Sequence, residues 1–187
     1  MVIFAISGSF RQGSSNTSLL HTMKSLAPAG NEFIIYDKIG ELPHFNPDLD
    51  NESVPQKVKD FRTQLREADG VLICTPEYAI GVPGTLKNAI DWTVSSMEFS
   101  QKPVALITAS LSGEKAHDSL LGTLLIIEAR MTSDTQLLIP FVKTKVTDEG
   151  KIIDNNTLNS VNKLIQSLTE IIANNNDGLL AAPILNA

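Results

Sequence analysis

Five apolar runs of strand length recur along the chain, at residues 2–7, 32–36, 70–75, 103–109 and 135–139, and the stretches between them carry apolar residues at helical spacing. Such alternation leaves few folds open. Parallel strands need a long crossover, and a helix can make it while covering the sheet, so the pattern predicts βαβ units around a five-stranded parallel sheet with helices on both faces. Val71 to Cys74 and Val104 to Ile107 are continuously apolar, as strands buried on both faces must be. Helices are expected at about residues 17–26, 55–68, 83–95, 116–130 and 157–173, the third with Pro83 in its first turn. No repeat or linker divides the sequence, and 187 residues with 42% hydrophobic content suffice for one core without disulfides or a structural metal. One domain over residues 1–173 is expected, then a tail over 174–187 for which disorder and docking on a neighbouring subunit are both open.

In an open parallel sheet, ligands bind beyond the carboxyl ends of the strands, where strand order reverses. Three loops occupy that position. The first, residues 8–16, joins an apolar strand to a helix start, and the N–H groups of a helix's first turn lack intrahelical partners at the positive end of the dipole. Ser9, Ser14, Ser15, Asn16 and Thr17 add side-chain donors, and Arg11 adds a fixed charge. The loop has neither the Gly-Lys-Ser/Thr ending of a nucleoside triphosphate loop nor the GxGxxG fingerprint, so a phosphomonoester is the better candidate ligand. The bland alternative is a polar turn with an N-cap. The second loop, from Thr75-Pro76-Glu77-Tyr78-Ala79 to Gly84, is rich in prolines and glycines that fix backbone shape, and Tyr78 offers a ring to a flat ligand or packs locally. The third, Ala109-Ser110-Leu111-Ser112-Gly113-Glu114-Lys115, is small enough at Ser110 and Gly113 for close backbone approach.

A net charge of −6 argues against a general nucleic-acid or anionic-membrane binder and favours small-molecule partners. The first apolar run has no basic flank and no segment approaches the length of a membrane span, so residence in the cytoplasm is the expectation. Cys74, the single cysteine, lies inside an apolar strand and reads as a packed thiol. His21, His44 and His117 have no metal-ligand spacing and read as surface or loop residues, so no metal is expected; no GxSxG elbow and no paired acid and base occur. If the chain is an enzyme, a bound cofactor must carry its chemistry, with no catalytic side chain of its own.

Gly8-Ser9-Phe10-Arg11-Gln12-Gly13-Ser14-Ser15-Asn16 resembles the GSxRxxSxN phosphate loop of the NAD(P)H-dependent FMN reductase family, whose members have the flavodoxin-like fold. Thr75-Pro76-Glu77-Tyr78, followed by Pro83-Gly84-Thr85-Leu86-Lys87-Asn88-Ala89-Ile90-Asp91-Trp92, is similar to its TPEYN and PGxLKNAxDW block. Leu42 to Leu49 resembles its LPxYNxDL segment, and Asp148-Glu149-Gly150-Lys151 its DExGK turn. The resemblance implies a doubly wound α/β sheet of order 2-1-3-4-5. It implies that Ser9, Arg11, Ser14 and Asn16, with the backbone N–H groups of Ser15 to Thr17, hold the FMN phosphate. Pro76, Glu77, Tyr78 and Ala79 would border the isoalloxazine mainly through backbone, with Ser110 and Gly113 completing the cofactor site and Trp92 in the core or at a subunit contact.

Two departures from the family pattern stand out. Ser112-Gly113 replaces a glycine pair, and Ala79 replaces an asparagine that would offer a side-chain donor. The implied activity is transfer of hydride from NADPH or NADH through FMN to quinone, azo, flavin or metal-ion acceptors. A non-enzymatic flavodoxin-like electron carrier and a flavin-free binding protein are the alternatives. The resemblance also implies a homodimer or homotetramer in which residues 42–49 reach toward the neighbouring subunit's cofactor.

Overall fold

The computed structural model describes residues 1–11 and 13–184; Gln12 of the first loop and the last three residues of the tail lie outside it. The chain runs β1 (Val2–Ser7), α1 (Ser15–Leu26), β2 (Glu32–Tyr36), α2 (Gln56–Glu67), β3 (Gly70–Thr75), α3 (Gly84–Asp91), β4 (Val104–Ala109), α4 (Glu114–Ile126), β5 (Gln136–Ile139) and α5 (Asn155–Ile172). All pairings are parallel, in the order β2-β1-β3-β4-β5. Ser7 stands opposite Cys74, and Thr75 opposite Thr108, so β1, β3 and β4 end together at one edge.

Side chains along each strand alternate between two cores. Phe4, Ile6, Val71, Ile73, Val104 and Leu106 face α2, α3 and α4, whereas Ile3, Ala5, Leu72, Cys74, Ala105 and Ile107 face α1 and α5. Helix covers both faces of the three central strands, which is why β3 and β4 are buried throughout and β1 is buried from Ile3 onward. The edge strand β2 is only partly covered, with Phe33 and Tyr36 buried in opposite cores and Glu32 and Ile34 exposed.

Where helix bounds differ from the periodicity, backbone conformation gives the reason. Helix α3 stops at Asp91, short of residue 95: the Thr93 N–H turns back to the Ile90 carbonyl three residues earlier at 2.8 Å, and residues 92–101 continue as turns. Helix α4 stops at Ile126 rather than near 130 because Glu128 adopts φ 66°. His117 corrects the expectation of a surface or loop residue: it is buried on α4, with Nδ1 3.0 Å from the Thr108 hydroxyl and Nε2 against the Gln136 side-chain oxygen. Both ring nitrogens are satisfied, which is the condition for burying an imidazole. His21 and His44 are exposed.

Residues on α2 and around α3 clamp the segment 43–50. Asn88 accepts from the Phe45 N–H at 2.7 Å and donates to the Pro43 carbonyl at 3.0 Å, and the Trp92 indole donates to the same carbonyl at 2.8 Å. The Phe45 ring meets Trp92 edge-on at 5.0 Å. Arg62 donates through Nε to the Trp92 carbonyl and through Nη2 to Asp50, whose other oxygen takes the Ser95 hydroxyl. Burial opposes ionisation of Asp50, but the Ser95 hydroxyl and the Arg62 guanidinium outweigh it and hold the carboxyl below its ordinary value. Trp92 is fully buried, a core residue of this chain. The tail returns to its own chain: Leu179 bridges Thr132, and the Leu180 N–H donates to the Met131 carbonyl at 2.8 Å.

Tyr36 packs between Phe4 and Phe61 with centroid distances of 5.4 and 5.2 Å. Burial, reinforced by Glu41, Asp60 and Asp37, pushes its phenol up from 10.0 to about 12. The folded state holds this proton more tightly than the unfolded chain. Its contribution is therefore complete below pH 10.0 and is lost as pH rises toward about 12. Tyr36→Phe is expected to flatten that alkaline loss, read from urea midpoints across the same pH interval.

Candidate functional site

Strand order reverses between β1 and β3, and the loops after β1, β3 and β4 meet there. Gly8 is sterically required in the first: a Cβ would lie 2.3 Å from Thr75 Oγ1. The Ser7 hydroxyl donates to the Ser9 carbonyl and lies 2.8 Å from the Thr17 hydroxyl, so Thr17 fixes the loop. Ser14 caps α1 by accepting from the Asn16 N–H at 3.3 Å. The Asn16 amide donates to the Ala109 carbonyl and its oxygen accepts the Cys74 thiol, both at 3.3 Å. Asn16 thus ties the start of α1 to the ends of β3 and β4. Complete burial pushes the Cys74 thiol far above its usual range, so it is a structural donor and not a nucleophile.

Helix α1 opens without an acidic residue in its first turn. Among the described residues, the Ser15 and Thr17 N–H groups find no partner. Ser9 and Ser14 are buried beside this helix start, and Arg11 is exposed with Nη2 3.4 Å from the Gly13 carbonyl. Ser9, Arg11, Ser14, Ser15 and Asn16 line one groove of about 270 Å³ with Pro76, Tyr78 and Ser110 opposite; Thr17 lines an adjoining cleft that includes Ser9, Arg11 and Ser14. This donor set fits a phosphate: hydroxyls, backbone N–H groups and a guanidinium converge, and among the described residues the groove is lined by no carboxylate, Asp37 standing in the adjoining cleft.

In the second loop, Tyr78 and Gly81 exchange two 3.0 Å backbone hydrogen bonds across a two-residue turn. Ala79 and Ile80 stand at φ 48° and 59°, the paired left-handed positions that favour Asn-Gly. The left-handed region costs an L-residue with a side chain roughly 1–2 kcal/mol. Ala79 in place of asparagine therefore registers here as backbone strain at the tip of the turn. The Tyr78 ring is 50% exposed and its hydroxyl lies 3.2 Å from Ser9 Oγ, linking the second loop to the first.

Glu77 links the second loop to the third. Its N–H donates to Ser110 Oγ at 3.2 Å, while its carboxylate accepts from the Gly113 N–H at 3.2 Å and the Ala116 N–H at 2.9 Å. Glu77 thereby fills the N-terminus of α4 with a carboxylate supplied by another loop. Gly113 has φ 98°, and a Cβ there would meet Leu138 Cδ1 at 2.8 Å. Of the residues expected at the cofactor, Pro76, Tyr78 and Ser110 line this groove, while Glu77 and Gly113 are hydrogen-bonded to each other and Ala79 stands at the tip of the second loop. Nothing local in the sequence signals this contact, because its partners are 36 and 39 residues apart.

The sequence profile of NADPH-dependent FMN reductases matches residues 1–144. The chain belongs to this family. It is 32% identical over 177 residues to the quinone reductase of Escherichia coli (strain K12), covering 91% of this chain and 94% of that one. To the 2-hydroxy-1,4-benzoquinone reductase of a Burkholderia species it is 33% identical over 163 residues, covering 83% and 87%. Among solved structures, FerB from Paracoccus denitrificans, a flavoenzyme NAD(P)H:(acceptor) oxidoreductase, superposes with a TM-score of 0.81 at 28% identity over 96% of this chain and 99% of its own. The fold is flavodoxin-like, and this FMN reductase is an FMN-dependent oxidoreductase with NAD(P)H as electron donor.

Glu77→Ala would leave two N–H groups at the start of α4 without acceptors, at a cost of about 1–3 kcal/mol. A lowered urea midpoint is expected, with Glu77→Gln, which keeps an accepting oxygen, falling between that variant and the parent.

Proposed function

We propose that this reductase holds the FMN phosphate at the open N-terminus of α1 and passes reducing equivalents from NADPH or NADH to quinones, with azo compounds, free flavin and oxidised metal ions as further acceptors. The observation that carries the reading is the contrast between two helix starts at the same sheet edge. Helix α4 is neutralised by Glu77, whereas α1 has no acid in its first turn and faces Ser9, Ser14 and Arg11. The quinone reductases among its relatives support the acceptor class.

In this reading the bound FMN supplies the hydride and electron chemistry. Arg11, Ser9 and Ser14, with the N–H groups of Ser15 to Thr17, anchor the phosphate. Asn16 and Thr17 hold the loop that presents those groups, and Glu77 fixes the second and third loops that border the ring. Pro76, Tyr78 and Ser110 stand across the groove, where they set the height and tilt of the ring. No helix of the described residues is long and apolar enough to cross a membrane, and the reading places the enzyme in the cytoplasm.

Arg11→Ala is expected to raise the FMN dissociation constant about 10- to 150-fold, the equivalent of about 1.5–3 kcal/mol for a charge-assisted phosphate contact. Flavin fluorescence titration checks this, and an unchanged constant removes Arg11 from the site. Anaerobic addition of NADPH or NADH to the FMN-loaded protein should bleach the flavin absorption far faster than in free FMN, and a quinone should restore it. A flavin that stays oxidised with both nucleotides overturns the reductase reading.

A homodimer or homotetramer also belongs to this reading. Val94, Met97 and Ile126 are exposed together around a cleft beside the ends of α3 and α4, an apolar surface suited to a second copy. Sedimentation at micromolar concentration should give at least twice the chain mass, and a monomer mass would contradict it.

A further inference from the structure

The loops that follow β4 and β5 are laced together beside the flavin groove. The Phe141 N–H donates to the Leu111 carbonyl and the Val142 N–H to the Ser110 carbonyl, each at 3.0 Å. Leu111 and Phe141 are nonetheless 75% and 58% exposed. Together with Ser110, Val142, Lys143 and Thr144 they enclose an open cavity of about 370 Å³ whose wall is almost wholly apolar. That volume falls within the roughly 300–1,000 Å³ of small-molecule sites. The cavity shares Ser110 and Val142 with the groove that carries Ser9, Arg11, Ser14 and Tyr78. The two form one trough, polar at the α1 end and apolar at the β5 end.

Phe141 adds a second observation. It stands at φ 52°, a left-handed conformation that bulky residues avoid. The Thr144 N–H and hydroxyl both donate to its carbonyl at 2.9 Å and, with the bond to Leu111, hold it there. An exposed ring returns little burial energy to the fold, so the strain is not compensated by packing of that side chain. Retained strain at a ligand edge of the sheet points to use of the ring by a ligand.

We infer that this cavity is the acceptor's apolar subsite, in which Leu111 and Phe141 receive the body of a planar aromatic acceptor of naphthoquinone size and set specificity, with Lys143 at the rim. The inference rests on the quinone reading above. The exposed wall of the cavity is almost wholly apolar and so suits a fused ring that carries polar atoms only at two positions better than a nicotinamide carboxamide, Lys143 being the charged residue of its lining. Overall, NAD(P)H gives hydride, solvent gives one proton, and the quinone becomes a hydroquinone; the subsite contributes binding alone.

The test uses the FMN-loaded, oxidised enzyme without nicotinamide, so binding is read apart from turnover. Equilibrium dialysis of 2-methyl-1,4-naphthoquinone should show about 5- to 10-fold weaker binding to Leu111→Ala and to Phe141→Ala, with Leu111→Met close to the parent. In steady state, the ratio of kcat/KM for this quinone to that for ferricyanide, which has no apolar body, should fall by a similar factor in the alanine variants. Unchanged binding in both variants, or a parallel fall for both acceptors, overturns the subsite. So does a change in chain mass by light scattering, which would make this face a contact between copies. A parent enzyme that reduces ferricyanide yet neither binds nor reduces the quinone defeats the acceptor reading itself, whereas equal quinone turnover by parent and variants defeats the subsite alone.

Discussion

Of the helices that begin at the carboxyl edge of the sheet, α1 and α4 differ in how the fold treats their unpaired N–H groups, and that difference organises the groove between them. At α4 a carboxylate arrives from another loop: Glu77 accepts from Gly113 and Ala116, and the positive end of that helix is occupied from within. At α1 the cap is an uncharged serine, the first turn carries no acid, and the guanidinium of Arg11 lines the groove beside it. An anionic ligand entering this edge therefore meets one helix start already neutralised and one still electropositive. That asymmetry gives the groove its electrostatic direction.

The same contacts make the groove a fixed object rather than three independent loops. Asn16 joins the first loop to the end of β4 and to β3 through Cys74, Tyr78 joins the second loop to Ser9, and Glu77 joins the second to the third. A groove held this way loses little conformational freedom when a ligand enters, which is the condition for binding energy to appear as affinity. The strained positions, Ala79, Ile80 and Phe141, lie at the tips of the loops that border it, where neighbouring hydrogen bonds over-determine the backbone.

The motif that marks the family serves mostly to hold other segments. Asn88 and Trp92 both bond the Pro43 carbonyl, Asn88 also accepts from Phe45, and Arg62 secures the Trp92 carbonyl to Asp50. Two sequence blocks more than 40 residues apart are thus one structural unit, and either block alone would leave buried polar groups unpaired.

The sequence by itself determined the sheet, its five helices and the first loop's chemistry, because those depend on local periodicity and on residue types that act near their own position. The uninterrupted apolar strands, the Ser14 cap and the acid-free start of α1 are all legible within a dozen residues. Tertiary structure alone decided which side chains face the groove. Asn16 lines the groove and also bonds the Ala109 carbonyl and Cys74; Glu77 reads as a positioning residue of the second loop and holds it by accepting from the start of a helix 36 residues on; His117 reads as a loop residue but is buried between Thr108 and Gln136. Polar side chains take the nearest unsatisfied partner in space, and only the assembled sheet brings those partners within reach.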